Sequence, residues 1–152
     1  MTAQHFLVPT DFSADADQAL EYAIALASKF QARLTLLHVL LSLPPLPEGA
    51  PGRGLPEVYL RQLAAEVQQG LATRRQRVLD AGLEGHSMLV YGMPFQSILD
   101  TAQEQKVDLI IMSTHGRTGL KHVLLGSVAE RIVRLAPCPV LVTRSPASTP
   151  SA

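Results

Sequence analysis

The stretch that decides the fold class is residues 107–133, VDLIIMSTHGRTGLKHVLLGSVAERIV. It begins as an apolar run, passes through a loop that contains Gly116, Gly119 and Gly126, and ends with apolar residues at helical spacing. An apolar run without polar alternation is typical of a strand buried on both faces, as in parallel sheets covered by helices. The stretch therefore predicts a strand, a glycine-rich loop and a helix within an α/β protein.

The same alternation of strands and helices extends through the rest of the chain. The strands are predicted at residues 5–11, 32–41, 86–92, 107–114 and 139–144. The helices are predicted to begin after an N-cap at Ser13, to span 57–81, to begin with Pro94, and to span Ser127–Leu135. This order predicts a doubly wound, five-stranded parallel sheet with helices on both faces. Ligands bind such sheets outside the carboxyl ends of the strands, where the winding reverses.

Length and composition predict one domain. The chain has 152 residues, of which 47% are hydrophobic, and this is enough apolar material for one core. We expect the domain to span residues 1–145. Within it, residues 42–56 are rich in proline and glycine and are expected to be a mobile loop, and residues 146–152 are expected to be a disordered tail.

Charge and cysteine content exclude several classes of function. The 13 basic and 13 acidic residues cancel, so no overall field attracts nucleic acid or an anionic membrane. No apolar stretch reaches the roughly 18 residues of a membrane helix, and the first residues lack a signal-peptide pattern. The one cysteine, Cys138, cannot form an internal disulfide. We therefore expect a cytoplasmic protein in which Cys138 is a small buried apolar residue, not a reactive thiol.

The glycine-rich loop has two interpretations that the residues alone leave open. Gly126 and Ser127 begin a helix, where free backbone amides and the helix dipole favour a phosphate, and the loop carries basic residues such as Arg117. In the structural interpretation, Ser127 and Glu130 form a capping box and the glycines only allow turns. Neither standard phosphate motif, G-x-x-x-x-G-K-[ST] or G-x-G-x-x-G, is present in the loop.

Other groups of polar residues predict no separate chemistry. Asp11, His115 and Ser127 would lie near one crevice, but no G-x-S-x-G nucleophile elbow supports a Ser-His-Asp triad. The five histidines lack the spacing of a metal site, and His38, inside an apolar strand, is expected to be buried and hydrogen-bonded. The TRRQR segment at residues 73–77 is expected to be a solvated helix face, because it lacks the aromatic neighbours of a nucleic-acid site.

Residues 6–144 resemble a universal stress protein of the single-domain type. ATP-binding members of that family carry a glycine, two residues, a second glycine, nine residues, a third glycine and then serine or threonine. The matching positions here are Ser113, Gly116, Gly126 and Ser127, with nine residues between Gly116 and Gly126. Ser113 departs from the pattern, because the family has glycine there. The segments VPTDFS at residues 8–13 and LLHV at residues 36–39 also resemble the family.

The resemblance implies an adenine-nucleotide-binding, Rossmann-like sheet whose first and fourth strands flank the binding crevice. Asp11 and the backbone near Val39 would contact the adenosine, and Gly126 would let phosphates approach the amides of Ser127 and Val128. The complete expected site comprises Pro9, Thr10, Asp11, Val39, Met112, Ser113, His115, Gly116, Arg117, Gly126, Ser127 and Val128.

The resemblance also implies a function. The protein would bind ATP, with Mg²⁺ or Mn²⁺ held mainly by the phosphates, and would regulate a stress response through nucleotide-dependent conformation or partner binding. It would form a homodimer through its last strand, from Pro139 to Arg144. No catalytic residue is assigned. The alternatives are a nucleotide-independent stress or scaffold dimer and a slow ATP hydrolase that uses the same crevice; the residues do not decide between ATP and AMP.

Overall fold

The computed structural model describes residues 4–42, 48, 56–115 and 125–145. Most of the predicted loop at 42–56 and the whole tail at 146–152 lie outside the described residues. The same is true of residues 116–124 of the glycine-rich loop, which include Gly116, Arg117 and Gly119.

Within those ranges, strands alternate with helices. The strands are β1 (His5–Pro9), β2 (Arg33–Leu41), β3 (Gly85–Gly92), β4 (Leu109–Ser113) and β5 (Val140–Thr143). The helices are α1 (Ala14–Phe30), α2 (Glu57–Asp80), α3 (Pro94–Glu104) and α4 (Ser127–Leu135). Every predicted strand and helix is confirmed, with ends that differ from the prediction by at most two residues.

The strands of the described residues form one parallel sheet in the order β3-β2-β1-β4-β5. From the central β1, the chain moves outward through β2 to β3 at one edge. It then returns to β4 on the other side of β1 and finishes with β5 at the opposite edge. The predicted doubly wound sheet is therefore confirmed, and its winding reverses between β1 and β4.

Successive residues of the central strands pack against helices on opposite faces of the sheet. Phe6 and Val8 belong to a first core cluster with buried residues of α1 and α2, whereas Leu7 belongs to a second core cluster with residues of α3 and α4. The first core cluster comprises Phe6, Val8, Leu20, Ala23, Ala27, Ala32, Leu34, Leu36, Val67, Leu71, Val78 and Ile111, and the second comprises Leu7, Leu37, Ile98, Ala102, Val107, Ile110, Met112, Ala129 and Ile132. Burial on both faces explains why these strands are apolar throughout.

Local sequence signals define three of the helix ends. The hydroxyl of Ser13 caps α1 by accepting a hydrogen bond from the Ala16 amide at 3.1 Å, and Pro94 occupies the first turn of α3. After α2, Gly82 adopts a φ of +77°, a conformation that favours glycine. Among the helices described, none is both long and apolar enough to cross a membrane.

Candidate functional site

The carboxyl ends of β1 and β4 lie side by side where the winding reverses. The two strands are parallel neighbours, with Leu7 paired to Ile110. Two segments therefore leave the sheet side by side at the carboxyl ends of these strands. They are the turn that follows β1, residues 10–13, and the start of the glycine-rich loop after β4. Parallel sheets of this kind bind ligands in the crevice at that edge.

Hydrogen bonds fix the turn that follows β1. Thr10 is buried and uses all of its polar groups: its amide donates to Leu37 O at 2.8 Å, its carbonyl accepts from His38 Nδ1 at 2.8 Å, and its hydroxyl accepts from the Phe12 amide at 3.1 Å. The Asp11 carboxylate accepts a hydrogen bond from the Ser13 amide at 3.0 Å. These bonds hold Asp11 at the mouth of the crevice, immediately before α1.

Phe12 stands at the centre of an aromatic and cationic stack beside this turn. Its ring lies parallel to the His38 ring, with 4.5 Å between the centroids, and the guanidinium carbon of Arg74 is 4.6 Å from the same centroid. His38 is hydrogen-bonded, as predicted, but it is only half-buried because it lies near the carboxyl end of β2.

A backbone hydrogen bond connects the residues that follow β4 to the start of α4. The Gly126 amide donates to Thr114 O at 2.8 Å, so the chain returns to β4 as the helix begins. A Cβ atom at Gly126 would lie 3.0 Å from that same oxygen, whereas its φ of −67° is ordinary for any residue. Gly126 is therefore required by close packing against β4 and not by backbone conformation.

The capping box of the structural interpretation does not form, because the N-cap of α4 lies one residue before Ser127. The N-cap is Gly126, whose carbonyl accepts the Glu130 amide at 2.9 Å, and Ser127 is the first helical residue, with an exposed side chain. Ser127 and Glu130 therefore cannot form the capping box. As in any helix, the amides of the first turn, which include those of Ser127 and Val128, have no partner within the helix, and the Gly126 N-cap has no side chain that could accept from them.

Ser113, which replaces the family glycine, folds its side chain back onto the loop. Its hydroxyl donates to His115 O at 2.9 Å, and Thr114 Oγ1 lies 3.1 Å from His115 Nδ1. The serine hydroxyl thus holds the backbone of the turn after β4. The added side chain is accommodated by a hydrogen bond within the loop.

The remaining expected site residues occupy the same edge in different ways. Pro9 is the last residue of β1, and Val39 lies two residues beyond Leu37, which pairs with Pro9. The side chains of Val39, Met112 and Val128 pack in or against the second core cluster, so these residues offer a ligand mainly their backbone atoms. Gly116 and Arg117, which are expected site residues by sequence, lie outside the described residues.

The expectation of a solvated face at residues 73–77 is wrong for Arg74. Its side chain is only 15% exposed, and it pairs with Asp17 through Nε to Oδ1 at 2.6 Å and Nη2 to Oδ2 at 3.0 Å. Arg75 donates to Gly85 O at 2.7 Å, and Arg77 pairs with Asp17 at 3.7 Å. Sequence reasoning missed these contacts because the partner carboxylate lies 57 residues away in the chain.

Titratable groups away from the crevice have structural roles. At the amino edge of the sheet, His5 is buried, and burial followed by the nearby Arg33 guanidinium lowers its pKa. Cys138 is half-buried against the second core cluster, and burial raises the pKa of its thiol. Within the described ranges, no group of three or more His, Cys, Asp or Glu side chains could hold a metal ion.

Comparison with known proteins gives a consistent result. Residues 2–144 match the model of the universal stress protein family. The chain is 36% identical over 140 residues to a universal stress protein of Methanocaldococcus jannaschii, which covers 92% of this chain and 81% of that protein. It superposes on the universal stress protein UspA from Lactobacillus plantarum with a TM-score of 0.78 and 30% identity, over 93% of this chain and 98% of that one. A family protein from Arabidopsis thaliana with AMP bound has the same fold, with a TM-score of 0.69 and 22% identity over 97% and 96% of the two chains.

Proposed function

The chain belongs to the universal stress protein family, and from that premise we propose that it binds an adenine nucleotide, ATP in particular, in the crevice between β1 and β4. Binding would set the conformation of the two loops at this edge or their affinity for a partner. In this way the protein would regulate a stress response through binding, without rapid hydrolysis of the nucleotide.

One contact carries the proposal, the 2.8 Å hydrogen bond from the Gly126 amide to Thr114 O. It brings the amino terminus of α4 to the end of β4, at the edge where the β1 turn carries Asp11. Uncapped amides at a helix terminus favour an anion, and a carboxylate accepts hydrogen bonds from ribose hydroxyls. The crevice thus offers phosphate donors on one side and an acceptor for the sugar on the other.

The choice of nucleotide rests on two further arguments. The Arabidopsis protein with AMP bound has the same fold, which supports the adenosine monophosphate part of the ligand. The second and third phosphates would require the glycine-rich loop, whose spacing matches the family's ATP-binding members. Mg²⁺ or Mn²⁺ would be bound mainly through those phosphates, since such hard cations prefer phosphate oxygens as ligands.

Calorimetric titration of ATP, AMP and GTP into the purified protein tests the proposal. We expect heat from ATP and a loss of affinity in Asp11→Ala. Asp80→Ala is the matched control, since Asp80 is an exposed aspartate at the end of α2. It lies near the amino ends of the strands, away from the crevice at their carboxyl ends. An absence of both heat and thermal shift at millimolar ATP would refute the proposal and favour a nucleotide-independent scaffold.

We also propose that the protein forms a homodimer through the last strand, from Pro139 to Arg144. β5 is an edge strand of the sheet, and Leu141 on it is 39% exposed. Exposed apolar edges of this kind tend to pair. Sedimentation at micromolar concentration should detect a dimer that Leu141→Lys dissociates, and a monomeric parent protein would reject this interface.

A further inference from the structure

Phe12 is held in a conformation that the chain would not adopt unaided. Its φ is +64°, in the left-handed region that is unfavourable for residues with a side chain, and it directly follows Asp11. The position of the Asp11 carboxylate therefore depends on whatever keeps Phe12 in this conformation.

Two residues of α2, one turn apart, are fitted to Phe12. Arg74 covers the ring, donates from Nη2 to Phe12 O at 3.3 Å, and is itself fixed by its paired hydrogen bonds to Asp17. Gly70 leaves room for the ring, because a Cβ atom there would lie 3.1 Å from two ring carbons. Glycine within a helix is unfavourable, so its presence at this contact indicates that space for Phe12 matters more than helix propensity.

We propose that Arg74 is a positioning residue for the nucleotide site, which acts by clamping Phe12 so that Asp11 faces the bound adenosine. This role rests on the proposed function. It assigns to α2 a part in ligand binding although no residue of that helix belongs to the expected site. By thermodynamic linkage, a nucleotide that fixes the Asp11 turn must in return stabilise the contact between Phe12 and Arg74.

The test compares Arg74→Lys with Arg75→Lys. Lysine keeps the positive charge at position 74 but loses the planar guanidinium that makes the paired and stacked contacts. Arg75 is the matched control because it is the adjacent residue, it also donates to the backbone, and its partner Gly85 begins β3 at the far edge of the sheet. We expect Arg74→Lys to weaken ATP binding about tenfold and Arg75→Lys to leave it unchanged.

Amide hydrogen exchange supplies a readout that does not need the nucleotide. In the free protein, the Phe12 and Ser13 amides should exchange faster in Arg74→Lys than in the parent. In the parent, ATP should slow exchange in α2 around Arg74, and this transfer should be lost in the variant. The inference fails if Arg74→Lys binds ATP as tightly as the parent. If Arg74→Ala loses affinity and Arg74→Lys retains it in full, the positive charge at position 74 supports binding and the clamping of Phe12 does not.

Gly70→Ala keeps the inference testable if Arg74→Lys does not fold. Alanine improves helix propensity but presses on the Phe12 ring, so a clamping role predicts weaker ATP binding in a protein whose α2 is intact. Unchanged affinity in Gly70→Ala would overturn the role. A parent that binds no nucleotide would refute the proposed function, and the positioning role with it, whereas variants that bind like a binding parent would refute the positioning role alone.

Discussion

Replacing Gly126 by alanine should separate close packing at the crevice from ordinary loss of stability. The new Cβ would lie 3.0 Å from Thr114 O, so the end of β4 and the start of α4 must move apart by a few tenths of an ångström. Overpacking of this kind costs about 1–2 kcal/mol, and alanine is a poorer N-cap than glycine by a further ~0.5 kcal/mol. The total, roughly 2 kcal/mol, corresponds to a fall in Tm of about 4–8 °C for a chain of this length.

The control is Gly82→Ala, which should destabilise the protein for another reason. Gly82 has a φ of +77° and no atom within 4 Å of an added Cβ, so alanine there suffers only backbone strain of about 1–2 kcal/mol. The two variants should unfold at similar temperatures. Since only Gly126 adjoins the crevice, only Gly126→Ala should weaken ATP binding, by about tenfold or more in calorimetric titration. Equal ATP affinity in both variants would refute the reasoning that α4 amides at this junction hold the phosphates.

Three smaller predictions concern the side chains of Ser127, His5 and Cys138. Ser127→Ala should change Tm by less than about 2 °C, because Ser127 is exposed and does not cap α4; a fall as large as that of a lost N-cap in thermal melts would contradict this. The lowered pKa of His5 means that the folded state binds fewer protons than the unfolded state below its ordinary value of 6.5, so the free energy of unfolding should fall as the pH drops from 7 to 5.5. Denaturant titrations should find that fall reduced in His5→Gln and kept in His86→Gln. Because burial raises the pKa of Cys138, iodoacetamide at pH 7.5 should modify it more slowly than free cysteine, and an equal or higher rate would contradict its burial.

The strands were predictable from the sequence because burial on both faces leaves a local record, a run of apolar residues. The ends of the strands were harder to predict, because tertiary contacts determine where each strand stops. Asp108, predicted within a strand, instead directs its carboxylate to the Gln4 and His5 amides, both at 2.9 Å. At the end of β1, Thr10 and Asp11, turn-forming residues that close the predicted strand, form the turn that leaves it. The partners of Asp108 lie more than 100 residues away in the chain and cannot be inferred from spacing.

The N-cap of α4 shows why a correct local rule gave a wrong residue. Serine followed three residues later by glutamate is a sound capping signal. Here the N-cap is Gly126 and not Ser127, because the Gly126 amide is already bonded to Thr114 O and its carbonyl accepts the Glu130 amide. A Cβ atom at this position would lie 3.0 Å from that oxygen, so the close approach favours glycine. The tertiary contact therefore decides which residue starts the helix, and it leaves the first amides of α4 uncapped.

Each side of the proposed site is held in place by other residues. On one side these residues can be inferred from sequence, and on the other they cannot. On the β4 side, Ser113, Thr114 and Gly126 support one another through contacts within the motif, so a motif search finds both the binding residues and their support. On the β1 side, Asp11 depends on Phe12, and Phe12 depends on Gly70 and Arg74 of α2, which no nucleotide-binding motif includes. A substitution in α2 could thus alter nucleotide affinity while every motif residue stayed in place. Relatives that share the motif should accordingly differ in affinity where they lack an arginine and a glycine in these positions, and titrating ATP into Arg74→Lys measures how large that difference can be.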